Sequence, residues 1–468
     1  MMLDYTLEEL AGILGVEQPA SENAGIRFHA VSTDSRTIRP GEIFFALSGE
    51  RFDGNRFVAD AFAKGAVAAV CRNPAPGGVC LLTDDPCKAL QRLAAYHRSR
   101  SRAVVIAVTG SCGKTTTKNM LREILEGLGP VAATQRNLNN EIGCPLSLLQ
   151  IGPDSRYAVI EMGANHPGEI RRLCELAAPD EAIVTMVAPA HLEGFGSIEA
   201  VARAKEEIRE GLRPGGVFYA NADDPSCAAM AERHTGPVVR FGSAPRADVR
   251  LTAAERLPDG RLRAVIEPVG ELLLHLPVRA QLTSVLACAA VGLRHAVPRL
   301  KERLEAACIR ADRARIRWIG PLIVLDDTYN ANPASMRAAL EALTELRGAG
   351  GTAAALGSMF ELGPAAPALH REIGALAARL GVERMYTLGP NAGDYVAGAR
   401  EAGMTRVMAC ADHEAIARAV MDDAKCGDVL LVKGSRGTRM ELLIARLVEH
   451  WGETEPELIP SPERNGDR

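Results

Sequence analysis

The stretch AVVIAVTGSCGKTT, Ala103 to Thr116, decides the fold. Its first six residues form an unbroken apolar, β-rich run, which fits a central strand of a parallel sheet covered on both faces. A glycine-bearing loop follows and opens into a segment predicted as a helix over 115–128. Strand, glycine loop and helix in that order make a phosphate cradle. Gly110 and Gly113 let backbone N–H groups turn inward onto phosphate oxygens, and the helix N-terminus adds its dipole. Lys114 is assigned to the β- and γ-phosphates and the Thr115 hydroxyl to Mg2+, with Ser111, Cys112 and Thr116 completing the loop. The loop is shorter than the full G-x-x-x-x-G-K-[ST] pattern because position 108 is valine. The alternative, a glycine-rich turn with a surface lysine, is disfavoured by the strand before it and the helix after it.

Outward from this loop the pattern repeats. YAVIEM (157–162) and AIVTMV (182–187) read as further buried strands, with a helix over 168–177 between them. This predicts a doubly wound, P-loop ATPase-like α/β domain over residues 101–310. Downstream, LIVLDDTY (322–329), TAAALG (352–357), RMYTLG (384–389) and DVLLVKG (428–434) predict a Rossmann-like domain over 311–455. A Pro-, Glu- and Arg-rich tail at 456–468 is expected to fray. Upstream, a turn at Pro40-Gly41 leads into a strand, 57–65 reads as a short helix and 66–71 as another strand. Residues 1–100 are thus a small α/β domain, and the polar run Ser99 to Arg102 reads as the linker. Three domains suit 468 residues at about 150 residues per domain.

The formal net charge of −4 excludes a general polyanion binder, so no nucleic-acid partner is expected and a nucleotide must meet a local site. Eleven cysteines without a C-x-x-C pair read as reduced, mostly buried thiols. An acidic, amphipathic N-terminus and the absence of any apolar run near 18 residues predict a cytoplasmic protein with no membrane span. Only eight of the 54 basic residues are lysine, which raises the odds that a given lysine is chemically required.

Two more strand ends carry polar residues. Glu161 closes the second strand beside the phosphate loop, where ligands bind in open α/β sheets; capping the next helix is its bland alternative. His191 follows the third run, so Thr115, Glu161 and His191 are expected to converge as metal ligands. For Lys205, on a helix in AKEEI (204–208), spacing alone favours a solvated lysine with a helical salt bridge.

Together these residues resemble the Mur ligase family, and the resemblance spans the chain. Its blocks are TDSRTIRPGEIFFALSGERFDG (33–54), TGSCGKTT (109–116), NLNNEIGCP (137–145), EMGANHPGEI (161–170), AHLEGFGS (190–197), AKEEI, DDTYNANPASM (326–336) and LVKGSRGTRME (431–441). NLNNEIG, GANHPGEI and HLEGFGS favour the member type that adds D-alanyl-D-alanine to UDP-N-acetylmuramoyl-tripeptide in peptidoglycan precursor synthesis. The resemblance implies an N-terminal domain gripping the UDP-sugar, a central ATPase domain and a closing C-terminal domain. It implies ATP as substrate, an acyl phosphate intermediate, two Mg2+ ions, and Lys205 carbamylated by CO2 into an anionic ligand. Lys114, His191 and Lys205 are then catalytic. Gln281, Arg313, Asp327, Tyr329 and Asn330 match ATP positions. Ser35, Arg36, Asn137, Asn139, Asn140, Lys433, Ser435 and Arg436 match substrate positions.

The chain departs from the family at four places. The adenine stretch G-x-H-N-x-x-N is VRAQLTS here, with Ala280, Gln281 and Ser284 at the His, Asn and Asn positions; Met186 replaces an Asn; Ser358 replaces an Asp; and Asp312-Arg313-Ala314 replaces G-R-G. The expectation is an active ligase with raised KM for ATP and weak discrimination against GTP. A precursor-binding protein with weakened catalysis and another Mur-type amide ligase are the competing readings. A monomer is the default.

Overall fold

A computed structural model describes residues 3–49, 52–310, 313–348 and 350–454. The expected fraying tail and Asp312 of the altered hinge triplet lie outside the described residues. Three principal sheets follow one another along the chain, one in each predicted unit.

The first sheet is parallel throughout, in the order Ala30–Ser32, Glu42–Phe45, Ala68–Cys71, Val79–Leu82. Ser99 and Arg100, expected in a linker, instead end a helix over Pro86–Arg100. The reason is Arg98, which is 1% exposed. Its guanidinium donates to the carbonyls of Ala177 and Ala178 at 2.8 and 3.1 Å and to Asp180 at 2.9 Å. A helix pinned by a buried fork cannot act as a flexible link. One apolar cluster accordingly runs from Leu3 and Leu93 in the first unit to Val105, Ile160 and Val184 in the second. Arg98→Met should lower the unfolding free energy by about 3 kcal/mol, since three acceptors lose a buried donor; urea denaturation with an unchanged shift would refute this anchoring role.

The second sheet has nine strands. Val104–Thr109 lies between Tyr157–Glu161 and Glu181–Val184, all parallel. Along these strands Val105 and Ala107 face one core cluster while Ile106 and Val108 face another, so both faces are covered as the apolar runs require. Past Val249–Arg256 the sheet turns antiparallel through Leu262–Glu267 and Gly270–Leu274. In the third sheet Val407–Ala409, Arg384–Leu388, Thr352–Gly357, Asp428–Lys433 and Leu322–Asp327 are parallel neighbours, and Arg315–Ile319 and then Glu453–Thr454 extend it antiparallel. The four strands predicted for this unit all form. No described helix is long and apolar enough to cross a membrane.

Candidate active site

The phosphate loop leaves the central strand at Thr109 and enters the helix Lys114–Leu125. Gly110 has φ 145°, and a Cβ there would lie 1.9 Å from the Thr185 hydroxyl. Only glycine lets the backbone pass so close to the neighbouring segment. That segment pins the loop: the Ser111 amide donates to the Met186 carbonyl at 2.9 Å, the Ser111 hydroxyl to the Ala188 carbonyl at 2.8 Å, and the Thr185 hydroxyl to the Cys112 carbonyl at 2.5 Å. The strand expected to reach Val187 therefore ends at Val184, because residues 185–188 are occupied in holding the loop. The Lys114 ammonium folds back to donate to the Gly110 carbonyl at 2.7 Å.

A cavity of about 800 Å3 opens over the loop, and all three sheets' units reach it or lie beside it. Thr115, Glu161 and His191 all line its wall, together with Asn137, Asn139, Asn140, Gln281, Arg313, Asp327, Tyr329, Asn330, Lys433 and Arg436. Glu161 is 2% exposed. One carboxylate oxygen accepts from the Asn139 amide at 2.8 Å, while Oε2 is buried with no hydrogen-bond partner. An orphaned, buried carboxylate oxygen beside a phosphate loop suits a hard cation. Among the described residues no three His, Cys, Asp or Glu side chains gather into a ready-made cation site. A metal here would therefore draw further oxygens from elsewhere. Asn140, in contrast, uses its side chain to accept from the amides of Ile142 and Gly143 at the start of a helix.

His191 is not at a strand end. It lies seven residues past Val184, at φ 53°, where the short helix Leu192–Phe195 begins. Its Nδ1 is hydrogen-bonded to Glu361, which comes from the third unit. Lys205 corrects the sequence reading more sharply. It is not solvated: it is 2% exposed, on the inner face of the helix Ile198–Glu210. Its ammonium sits 5.9 Å from the Phe195 ring centre, and it does not face the cavity directly. Burial, reinforced by the nearby positive charge of Lys114, pushes this amine down to about 7.

The third unit supplies the opposite wall. Arg313 lies over the Tyr329 ring, 3.1 Å from its centre, and donates to the Thr115 hydroxyl at 3.3 Å. Lys433, 1% exposed, is ion-paired to Asp327 and donates to the Asn330 carbonyl at 2.9 Å. Ser435 stays outside the cavity, bridging the Ala331 carbonyl and the Phe360 amide. Gln281 faces the cavity with its amide already engaged, accepting from the Val278 amide at 3.4 Å and donating to the Arg313 carbonyl at 3.2 Å. Ser284 is buried beneath the loop and accepts from the Thr117 hydroxyl at 3.0 Å. Ser35 and Arg36 are not brought to this cavity; Arg36 is exposed and paired with Asp34 at 2.7 Å.

Two residues at the site escaped sequence reading. Asn332 donates to Cys112 Sγ at 3.1 Å and to the Ser111 carbonyl at 3.4 Å, tying the third unit to the phosphate loop. Asn before Pro333 is a legible helix cap, but nothing local tells which loop its amide meets. Glu361 meets His191 across 170 residues of sequence, and no spacing rule could join them.

Comparison with known proteins places this geometry. Family models for the Mur ligase middle domain, the Mur ligase glutamate ligase domain and the Mur ligase family catalytic domain match residues 108–292, 313–436 and 27–80. The UDP-N-acetylmuramoyl-tripeptide–D-alanyl-D-alanine ligase of Escherichia coli is 35% identical over 96% of this chain and 99% of its own. That of Bacillus subtilis is 32% identical over 90% and 93%. Among solved structures, MurF from Acinetobacter baumannii superposes with a TM-score of 0.85 at 31% identity, covering 96% of this chain and 99% of that one. MurF from Thermotoga maritima, in complex with ADP, gives 0.80 at 29% identity, covering 90% and 97%.

Proposed function

The chain belongs to the Mur ligase family, and from that premise we propose that it joins D-alanyl-D-alanine to UDP-N-acetylmuramoyl-tripeptide, converting ATP to ADP and phosphate. The observation that carries the reading is a single cavity walled by the phosphate loop, by Glu161 with its unpartnered oxygen, and by the cationic side chains of Arg313, Lys433 and Arg436. ATP lies with its phosphates on the loop amides and Lys114. The terminal carboxylate of the tripeptide attacks the γ-phosphorus and ADP leaves, giving an acyl phosphate. The neutral amine of the dipeptide then attacks the acyl carbon, and phosphate departs from the tetrahedral adduct.

Each step accumulates negative charge on phosphoryl oxygens or on the acyl oxygen. Lys114 and the loop amides are fixed before reaction, so they stabilise that charge without reorganising. Arg313 is held by Tyr329 and Thr115 at the same wall. Thr115, Glu161, His191 and a carbamylated Lys205 would hold two Mg2+ ions, which neutralise phosphate charge when bound. Carbamylation suits Lys205 because a neutral amine near pH 7 is the form that adds to CO2, and the product exchanges a buried cation for an oxygen donor. Asn139 orients Glu161 in this set. Ser35 and Arg36 belong to a separate UDP subsite in the first unit.

Phosphate release assayed with UDP-N-acetylmuramoyl-tripeptide, with D-alanyl-D-alanine, and with both tests the reading. Turnover that needs both supports it; no ATP use with any combination would favour the precursor-binding alternative. The same assay addresses the base. Gln281 is spent on backbone partners, and Ala280 has no hydrogen-bonding side chain, so the purine edge loses one or two contacts, about 1–2 kcal/mol. GTP should accordingly support turnover within about tenfold of ATP at limiting nucleotide. A preference for ATP of a thousandfold would mean that backbone groups read adenine.

A further inference from the structure

We infer that Glu361 is a positioning residue for His191, acting across the boundary between the second and third units. The contact has two strands. Glu361 hydrogen-bonds His191 Nδ1 through its side chain, and its carbonyl accepts from the Glu193 amide at 3.1 Å. Both partners hold left-handed backbone, φ 53° at His191 and 62° at Glu361, although neither is glycine. Such conformations persist where surrounding contacts over-determine them, and here each residue's contacts include the other.

The chemistry follows from the atoms involved. A carboxylate only accepts, so Nδ1 carries a proton, and in the neutral ring Nε2 is left with its lone pair. A histidine on the cavity wall is thereby held as an Nε2 donor to a cation, in one tautomer and one ring orientation. Because Glu361 resides on the third unit, the donor is set only when that unit is docked. The wall at His191 is then completed by the same docking that brings Arg313 and Lys433 to the phosphate loop. Glu361 is itself half exposed, so its replacement leaves no buried hole.

This inference rests on His191 being a metal ligand, and the test separates the two. Nitrogen-15 spectra of histidine-labelled, metal-free protein should show His191 protonated at Nδ1; Glu361→Ala should shift it to a tautomer mixture. Mn2+ titrated in the presence of a non-hydrolysable ATP analogue should bind about 10- to 100-fold more weakly to Glu361→Ala. Glu361→Gln should restore most of both, because the amide oxygen still accepts from Nδ1–H. An unchanged tautomer and unchanged Mn2+ binding in Glu361→Ala would overturn the positioning role. Unchanged Mn2+ binding in His191→Ala would instead remove the ligand assignment beneath it.

Discussion

Lys205→Ala is expected to lose nearly all turnover and to regain part of it in short carboxylates such as acetate, while Lys205→Arg stays inactive. The cause is the pairing of burial with function. At 2% exposure the side chain has no water to solvate a charge, and burial together with Lys114 holds the amine near 7. A carbamate makes this position anionic, and acetate in the emptied space supplies the same kind of oxygen. Arginine keeps a cation that cannot be carboxylated into one. Activity of the arginine variant would sink the carbamate reading. Stability gives a second readout that does not depend on catalysis. In CO2-free protein the folded-state value lies below the unfolded one, so between pH 7 and 10.5 the unfolded chain binds the extra proton and stability rises with pH. Below pH 7 the burden of the buried charge is complete. Lys205→Met should therefore melt above the unsubstituted protein at pH 6, with the gap closing toward pH 10, although it is inactive. A gap that does not depend on pH would mean that the amine is hydrated after all.

Lys114→Ala should reduce kcat at least a hundredfold, equivalent to about 3 kcal/mol or more, with the fold retained. The ammonium reaches over the loop to the Gly110 carbonyl at 2.7 Å, close to where transferring phosphoryl charge develops. Loss of this contact costs little stability, because Lys114 lies on the cavity wall and is not in the core. Thermal melting should shift by no more than a few degrees. A folded variant turning over at the unsubstituted rate would refute the assignment of the loop.

What the sequence determined by itself was everything carried by local periodicity and by short motifs. Three strands of the second sheet and four of the third were legible because residues such as Ile106 and Val432 sit in apolar runs buried on both faces. The phosphate loop was legible because Gly110, Gly113 and Lys114 must be contiguous to turn amides and an ammonium toward one point. The antiparallel strands over Leu262–Glu267 and Gly270–Leu274 were missed, since their alternating burial at a sheet edge gives a weaker signal. Tertiary structure alone decided which helical faces are inside and which distant segments meet. AKEEI has the spacing of a surface salt bridge, yet packing turns Lys205 inward. SRSR reads as a linker, yet Arg98 beside it is anchored on carbonyls 79 and 80 residues away. Gln281 resembles an adenine reader until Arg313 takes its amide, and His191 acquires its tautomer from Glu361 on another sheet's unit. Burial and long-range hydrogen bonds are properties of the assembled chain, and no window of neighbouring residues contains them.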